Sequence, residues 1–292
     1  MHNIKPLPQN PFSLYDFLGY LIPGIIFTGS IIFIDLYVFD NFCGLNCLFD
    51  NLKEISKESS SITFSETTIS IFYIIFFFTS MYLIGHIIGI LSSTFIEKLY
   101  YVKKFGYPGN CILPNKESEF NNESCVIKLF LTPVSIFYYF IIKLFFVSIK
   151  KYFNDLFSET EKSLINKKLI KIMHDLTFSE NKTKVRAKNL QKKEYSFLTI
   201  YHYVIEVECP HLIKINNYVA IYGFFRNICF SFVICFWFSL VVTMIHIHEY
   251  SKTTIVVPFL FSLLSIVTFV GFDKFYKRFA KEVLYAALVN KE

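Results

Sequence analysis

The chain has 292 residues, of which 53% are hydrophobic and only 18% are charged, and its mean hydropathy is +0.44. Soluble domains average about 45–50% apolar and about 25% charged residues, so this composition excludes an ordinary soluble domain and indicates a membrane protein. The net charge of +6 is concentrated in a few segments. No two cysteines form a CxxC pair, so neither a zinc site nor a disulfide framework is expected.

Residues 1–93 are predicted to form an N-terminal helical hairpin, with spans at about 17–39 and 69–93. Each run reaches the roughly 20 apolar residues that cross a bilayer. Pro23 and Gly24 interrupt the first run. Because proline has no backbone N–H, a neighbouring helix or a water molecule has to satisfy the carbonyl that Pro23 frees.

The connection over residues 40–68 is acidic and contains only two lysines. Cytoplasmic connections are enriched in Lys and Arg, so this connection is predicted to lie outside. Cys43 and Cys47 lie in it, and the sequence leaves open whether they form a disulfide or remain two free thiols.

Residues 94–226 are predicted to form a helical cytoplasmic module, because Lys and Arg are dense between positions 150 and 193. Its apolar block 126–149 could span the membrane, which would give five spans. Five spans export six lysines and four spans export three, so four spans are favoured. The block is then an interfacial or re-entrant helix, or a helix buried in an oligomer. The end of the module, residues 204–208, fits either a helix or a strand.

Residues 227–272 are predicted to form a second hairpin, with spans at about 228–245 and 255–272. The remaining segment, 273–292, alternates basic and apolar residues at helical spacing and is predicted to be an amphipathic cytoplasmic tail. Its basic side chains are expected to face anionic lipid of the inner leaflet: Lys274, Lys277, Arg278 and Lys281. These assignments place both termini in the cytoplasm of a protein of the cell (inner) membrane.

Three small residues in the second span, Gly85, Gly89 and Ser93, follow one another at intervals of four. Such a face lets another helix approach closely, in the same chain or in a second copy, and a homo-oligomer is expected. His86 lies at the edge of this face and is the leading candidate for a functional residue, because ionisable groups at membrane depth are rare. Packing, proton or ion handling, and catalysis all remain open for it.

Arg226 precedes the third span at the same predicted depth as Asp16 and Glu97 on the first two spans. An ion pair between Arg226 and one of these carboxylates is therefore predicted at the inner edge of the bundle. No motif for nucleotides, dinucleotides, metal-dependent proteolysis or serine hydrolysis occurs, so no cofactor, metal site or catalytic set is expected. Lysines beside a membrane are explained first by anionic lipid, so nucleic acid is not expected as a partner.

Four segments carry a resemblance: YDFLGYLIPG from Tyr15, GHIIGILSS from Gly85, FRN from Phe225, and the segment from Phe275 to Leu288. With them, the chain resembles an uncharacterised group of prokaryotic multi-pass membrane proteins, some encoded near mobile or anti-phage defence loci. The resemblance covers the spans and their borders and carries over no catalytic residue.

The sequence therefore predicts an all-α integral membrane bundle of four spans with a helical cytoplasmic insert. The preferred function is a non-enzymatic membrane component that couples a signal at the cytoplasmic module, such as a bound sensor protein, to a pore or permeability change. Two alternatives remain: a membrane-embedded enzyme or carrier that acts on lipid or a small ion through His86, and a passive membrane scaffold.

Overall fold

The computed structural model describes the helical parts of the chain. These are residues 16–38, 66–102, 129–134, 193–206, 211–245 and 256–289, together with residues 160, 163, 164 and 167. No strand occurs among these residues, and four of the helices are long and apolar enough to cross a membrane. The predicted all-α membrane bundle with four spans is therefore confirmed.

Five α-helices and two π-helical segments make up this part of the chain. In order they are a first π-helical segment (Phe17–Leu21), α1 (Ile22–Val38), α2 (Glu66–Ser92), a second π-helical segment (Ser93–Val102), α3 (Lys193–Glu206), α4 (Leu212–Ile245) and α5 (Val256–Val289). The candidate spans are Phe17–Leu36, Ile71–Val102, Leu212–Ile245 and Val256–Val289.

Two of the long helices extend beyond the spans that the sequence suggests. Helix α4 begins at Leu212, well before residue 228, and α5 continues through Val289, so the tail is the end of the same helix as far as that residue. The physical reason is that no proline follows Leu212 within α4, and neither glycine nor proline occurs between residues 273 and 289. At the end of the insert, α3 reaches Glu206 as a helix.

Several predictions concern residues outside the described part of the chain. They include Cys43 with Cys47 and most of the block 126–149. Within that block, Leu131 and Val134 are each 1% exposed. Whether the block crosses the membrane, and where the domain borders lie, stay predictions.

The chain divides into two compact units. Unit 1 comprises Met1–Ser93 with Gly223–Phe269, and unit 2 comprises Thr94–Tyr222 with Val270–Glu292. Each unit has its own buried core, described separately below.

The core of unit 1 is formed by apolar side chains from α1, α4 and α5. Its centre is aromatic: Phe261 is 2% exposed, and its ring centroid lies 6.1 Å from that of Phe232 and 6.5 Å from that of Phe33. By contrast, α2 exposes large apolar side chains in succession, including Phe72 at 64% and Phe76 at 70%. An apolar helix surface of this kind is stable when hydrocarbon surrounds it, which agrees with a membrane span.

The core of unit 2 is a cluster of aromatic rings on the second π-helical segment, α4 and α5. Tyr101 is 1% exposed and Phe272 is fully buried, and their ring centroids are 5.2 Å apart. Tyr276 stacks on Phe272 at 5.3 Å, and Tyr222 lies 4.9 Å from Tyr276. Helix α3 adds Ile200 to the buried side chains of this unit.

In unit 1, α2 approaches the first span closely enough for the backbones to touch. A Cβ atom placed on Gly24 would lie 1.9 Å from the carbonyl oxygen of Met81, and one placed on Gly85 would lie 1.9 Å from that of Tyr20. These distances are far below any van der Waals contact, so only glycine fits at either position. Each glycine faces the backbone of the other span, so both spans contribute a glycine to the close approach.

This close approach predicts a difference between two glycine substitutions on α1. Gly24→Ala should lower the free energy of unfolding in detergent micelles by about 1–3 kcal/mol, because the new methyl group meets backbone that cannot rotate away. Gly29→Ala is the matched control, because a Cβ atom there meets nothing within 4 Å. It should be neutral or stabilise the helix by up to about 1 kcal/mol. Equal losses in thermal stability for both variants would contradict the close approach.

Candidate functional site

The candidate site of unit 1 begins at the carbonyl of Gly19, in the π-helical segment that directly precedes α1. In an α-helix, the N–H of residue 23 would bond to the carbonyl of Gly19, and proline has none. The chain is π-helical over Phe17–Leu21, and the side-chain Nδ2 of Asn227 donates to the Gly19 carbonyl at 2.6 Å. Gly19 is buried and Asn227 is 1% exposed. A neighbouring helix thus supplies a donor to a carbonyl close to Pro23, and the link between this donor and the missing N–H of Pro23 stays a prediction.

The same asparagine joins α2 to α4. Its Oδ1 atom accepts a short hydrogen bond from the hydroxyl of Ser92, which is fully buried. The Arg226 Nε atom donates to Ser92 Oγ at 3.2 Å and lies 3.4 Å from Asn227 Oδ1. Ser92 Oγ is also 3.0 Å from the Gly89 carbonyl. The result is a polar chain from Arg226 through Ser92 and Asn227 to Gly19, in which each bond polarises the next.

His86 lies six residues before Ser92, which is about 1.7 helical turns, and its ring packs against two tyrosines. Its ring stacks on that of Tyr20, with centroids 3.8 Å apart and planes at 18°, and the Tyr82 ring meets it edge-on at 4.6 Å. The imidazole is half-buried. Within the described residues, both rings around His86 are phenols, so no carboxylate there orients it as a general base.

The predicted small-residue face lies at the crossing where α2 meets the first span and α4. Ser92 takes the place predicted for Ser93. Gly85 meets the Tyr20 backbone, and a Cβ atom on Gly89 would lie 2.9 Å from the Tyr20 ring. Ser93 is half-buried, and its hydroxyl donates to the Ile90 carbonyl of its own helix at 2.9 Å. At 3.6 residues per turn, position 92 is about 20° from Gly85 around the helix and position 93 about 80°. Ser92 is therefore the serine that reaches α4.

The predicted ion pairs at the inner edge stay predictions. Arg226 donates to the Ser92 hydroxyl in unit 1. Asp16, half-buried, directly precedes the first π-helical segment of the same unit. Glu97 belongs to unit 2, where its carboxylate accepts a hydrogen bond from the Tyr276 hydroxyl at 3.1 Å.

A second group of polar contacts lies in unit 2 around Asp273, which is 4% exposed. The Tyr101 hydroxyl donates to Asp273 Oδ1 at 2.6 Å, and Lys277 Nζ donates to Oδ2 at 3.0 Å. Each oxygen of this buried carboxylate thus has a donor, and one of them is cationic, which offsets the cost of burying the charge. Lys277, predicted to face lipid, makes its ion pair within its own helix.

Glu282, nine residues after Asp273 on α5, is 8% exposed and is the centre of another group of polar contacts. Its Oε1 atom lies 2.8 Å from His211 Nδ1, and its Oε2 atom lies 2.8 Å from Lys214 Nζ. These partners lie at the start of α4, so the carboxylate attaches that end of α4 to α5 within unit 2. The contacts account for a buried acid in an otherwise apolar stretch.

The other basic side chains of α5 lie against aromatic rings. Lys274 and Arg278 are exposed and both lie over the Phe275 ring, at 5.8 Å and 5.6 Å from its centroid. Lys281 is half-buried, 5.4 Å from the centroid of Tyr285. Their predicted contact with lipid stays a prediction.

Sequence reasoning missed three of the residues that hold these groups. Asn227 and Glu282 carry no predicted role, and the predicted small-residue face includes Ser93 in place of Ser92. A usable signal was present, since an amide or a carboxylate within an apolar helix requires a partner. The sequence could not name that partner.

No group of three or more His, Cys, Asp or Glu side chains that could hold a metal ion occurs among the described residues. No protein-family model, curated protein or solved structure matches the chain.

The polar chain predicts a measurable coupling between Ser92 and Asn227. Asn227→Ala should lower stability by about 1–3 kcal/mol, because it leaves the Gly19 carbonyl and the Ser92 hydroxyl without a partner. Ser92→Ala should have a smaller effect, and the double variant should be less destabilised than the sum by about 1 kcal/mol. Unfolding in mixed micelles with increasing denaturing detergent measures all three.

Ser93→Ala is the matched control for that cycle, because the Ser93 hydroxyl bonds only within its own helix among the described residues. It should not couple to Asn227→Ala. Additive losses for Ser92 and Asn227, or an equal coupling for Ser93, would contradict the polar chain as drawn.

Proposed function

We infer that this multi-pass membrane protein is a non-enzymatic component in which a signal received by residues 94–226 changes the packing of its helices and thereby the permeability of the membrane. The observation that carries this proposal is the polar chain of Arg226, Ser92, Asn227 and Gly19 in unit 1. Its hydrogen bonds join Gly19 of the first span and Ser92 of the second span to residues of α4.

The helices are held together weakly at this crossing, which supports an exchange between a closed and an open packing of the bundle. Glycines admit backbone here, so few side chains interlock, and interhelical hydrogen bonds in membranes contribute only about 0.6 kcal/mol each on average. An effector that distinguishes two states by about 1–3 kcal/mol is therefore sufficient to exchange them. Opening the crossing would expose a guanidinium, a hydroxyl and an amide, which are groups that hydrate readily.

A buried hydroxyl in α1 gives further support. The Oγ1 atom of Thr28 is a buried side-chain polar atom without a hydrogen-bond partner among the described residues. Thr28 follows Gly24 by four residues and so lies on nearly the same face of α1. An unsatisfied hydroxyl costs about 1–3 kcal/mol and raises the free energy of the closed arrangement.

The proposal extends to location and partners. The basic residues of 94–226 favour an inner-membrane protein with both termini in the cytoplasm, where a sensor protein would contact the module. The exposed apolar side chains of α2 are compatible with lipid or with a second copy in a homo-oligomer. We propose a role in anti-phage defence because the span borders resemble a group of proteins that are in part encoded near defence loci.

Ion flux through proteoliposomes tests the permeability proposal. The full-length protein is reconstituted into potassium-loaded liposomes, and potassium release is recorded for the wild type, Asn227→Ala and Thr28→Val. Asn227→Ala should raise the flux by about tenfold, since 1.4 kcal/mol shifts a two-state equilibrium by that factor. Thr28→Val should lower it, because it removes the unsatisfied hydroxyl that disfavours the closed arrangement.

Ser93→Ala serves as the matched control and should behave like the wild type. Size-exclusion chromatography in detergent confirms that every variant is assembled. If assembled wild type and Asn227→Ala both release potassium no faster than empty liposomes, the permeability proposal is wrong and the passive scaffold is favoured.

The alternative enzyme or carrier function depends on the imidazole of His86, and its half-exposed ring is the observation in its favour. His86→Phe retains the stack on Tyr20 and removes the titratable nitrogen atoms, whereas His86→Ala removes both. If His86 only packs, potassium flux and thermal stability of His86→Phe should equal those of the wild type, and only His86→Ala should lose stability. A fall in flux of about tenfold or more in an assembled His86→Phe protein would favour the carrier.

A further inference from the structure

The exposed face of α5 in unit 2 changes character within two turns. Val270 is 36% exposed and apolar, and the next residues on the same face are Lys274 and Arg278, which are both exposed. The i, i+4 spacing aligns these three side chains along one face. An apolar side chain followed by two cations matches the transition from lipid tails to headgroups.

The two cations converge on one aromatic ring. Lys274 Nζ lies 5.8 Å and the Arg278 guanidinium carbon 5.6 Å from the centroid of Phe275, within the range of cation–π attraction. Phe275 is itself in contact with Tyr218 of α4, with centroids 6.3 Å apart. The ring therefore restricts where both cations can lie, and four residues of helix separate their Cα atoms by about 6 Å along the axis.

The neighbouring basic residues differ in their charge balance. Lys277 is neutralised by buried Asp273, and Lys214 by Glu282. Within the described part of the chain, no carboxylate forms an ion pair with Lys274 or Arg278, so both positive charges remain available. A phosphodiester is the anion that a lipid surface presents at the border between apolar and basic side chains.

We propose that Lys274, Arg278 and Phe275 form a binding site for the headgroup of an anionic phospholipid. Arg278 provides a planar guanidinium that can bond two phosphate oxygens, and Lys274 contributes a second positive charge. The acyl chains of the lipid begin beside Val270, which is exposed on the same face. This site is independent of the permeability proposal, because lipid binding is measured without flux.

Native mass spectrometry of the full-length protein tests the site. Protein in neutral detergent is titrated with phosphatidylglycerol or phosphatidylcholine, and lipid retained per protomer is counted. The wild type should retain phosphatidylglycerol in preference to phosphatidylcholine. Lys274→Gln with Arg278→Gln should weaken phosphatidylglycerol binding by about thirtyfold, since each basic residue near an anionic surface contributes a factor of about five. Phe275→Leu should weaken it by about two- to fivefold, since the ring no longer holds the cations.

The matched control removes the same charge elsewhere. Lys98 and Lys167 are exposed lysines of unit 2, and Lys98→Gln with Lys167→Gln should leave phosphatidylglycerol binding unchanged. An equal loss in this control would show that net charge alone attracts the lipid and would overturn the site. So would equal retention of both lipids by the wild type, or displacement of phosphatidylglycerol by inorganic phosphate at equal concentration.

Discussion

The hydrocarbon core of a bilayer holds no bulk water, so the polar groups of the helices have to be satisfied by the protein or by ordered water. In the first span, close to Pro23, the Gly19 carbonyl accepts a hydrogen bond from the Asn227 amide. While the Asn227 Nδ2 atom donates to Gly19, its Oδ1 atom accepts a hydrogen bond from Ser92 on α2. One asparagine thus links three helical segments of unit 1 at a single point.

The glycines of this crossing follow from the same requirement. A side-chain amide is short, so the helices that it links must lie close together, and side chains between them would prevent that. Gly24 and Gly85 supply the missing volume, each facing a backbone carbonyl of the other helix. The aromatic rings of Tyr20 and His86 then close the edge of the crossing by stacking. His86 is consequently a neighbour of the polar chain and is packed by aromatic rings.

In unit 2 the main constraint is the burial of two carboxylates on the long helix α5. Asp273 and Glu282 are both nearly inaccessible, and each is given cationic or hydroxyl donors from its surroundings. These contacts neutralise Lys277 and Lys214 as lipid ligands, because their charges are already paired. The basic residues of unit 2 therefore differ: Lys277 and Lys214 are paired with buried carboxylates, and two others, Lys274 and Arg278, lie over Phe275 on the exposed face.

Composition and the position of Pro23 determined much about this protein. Long apolar runs specify helices because a bilayer accepts few other structures, and a proline within such a run specifies an unsatisfied carbonyl. Helix limits at Leu212 and Val289 were predicted less well, because charges end a hydrophobic run without ending a helix. Only the tertiary structure identified the donor, because Asn227 lies 208 residues from Gly19 in the chain, and nothing local relates the two. The same holds for Ser92 and Ser93, which differ by about 100° around the helix axis, so only packing against α4 selects the buried one.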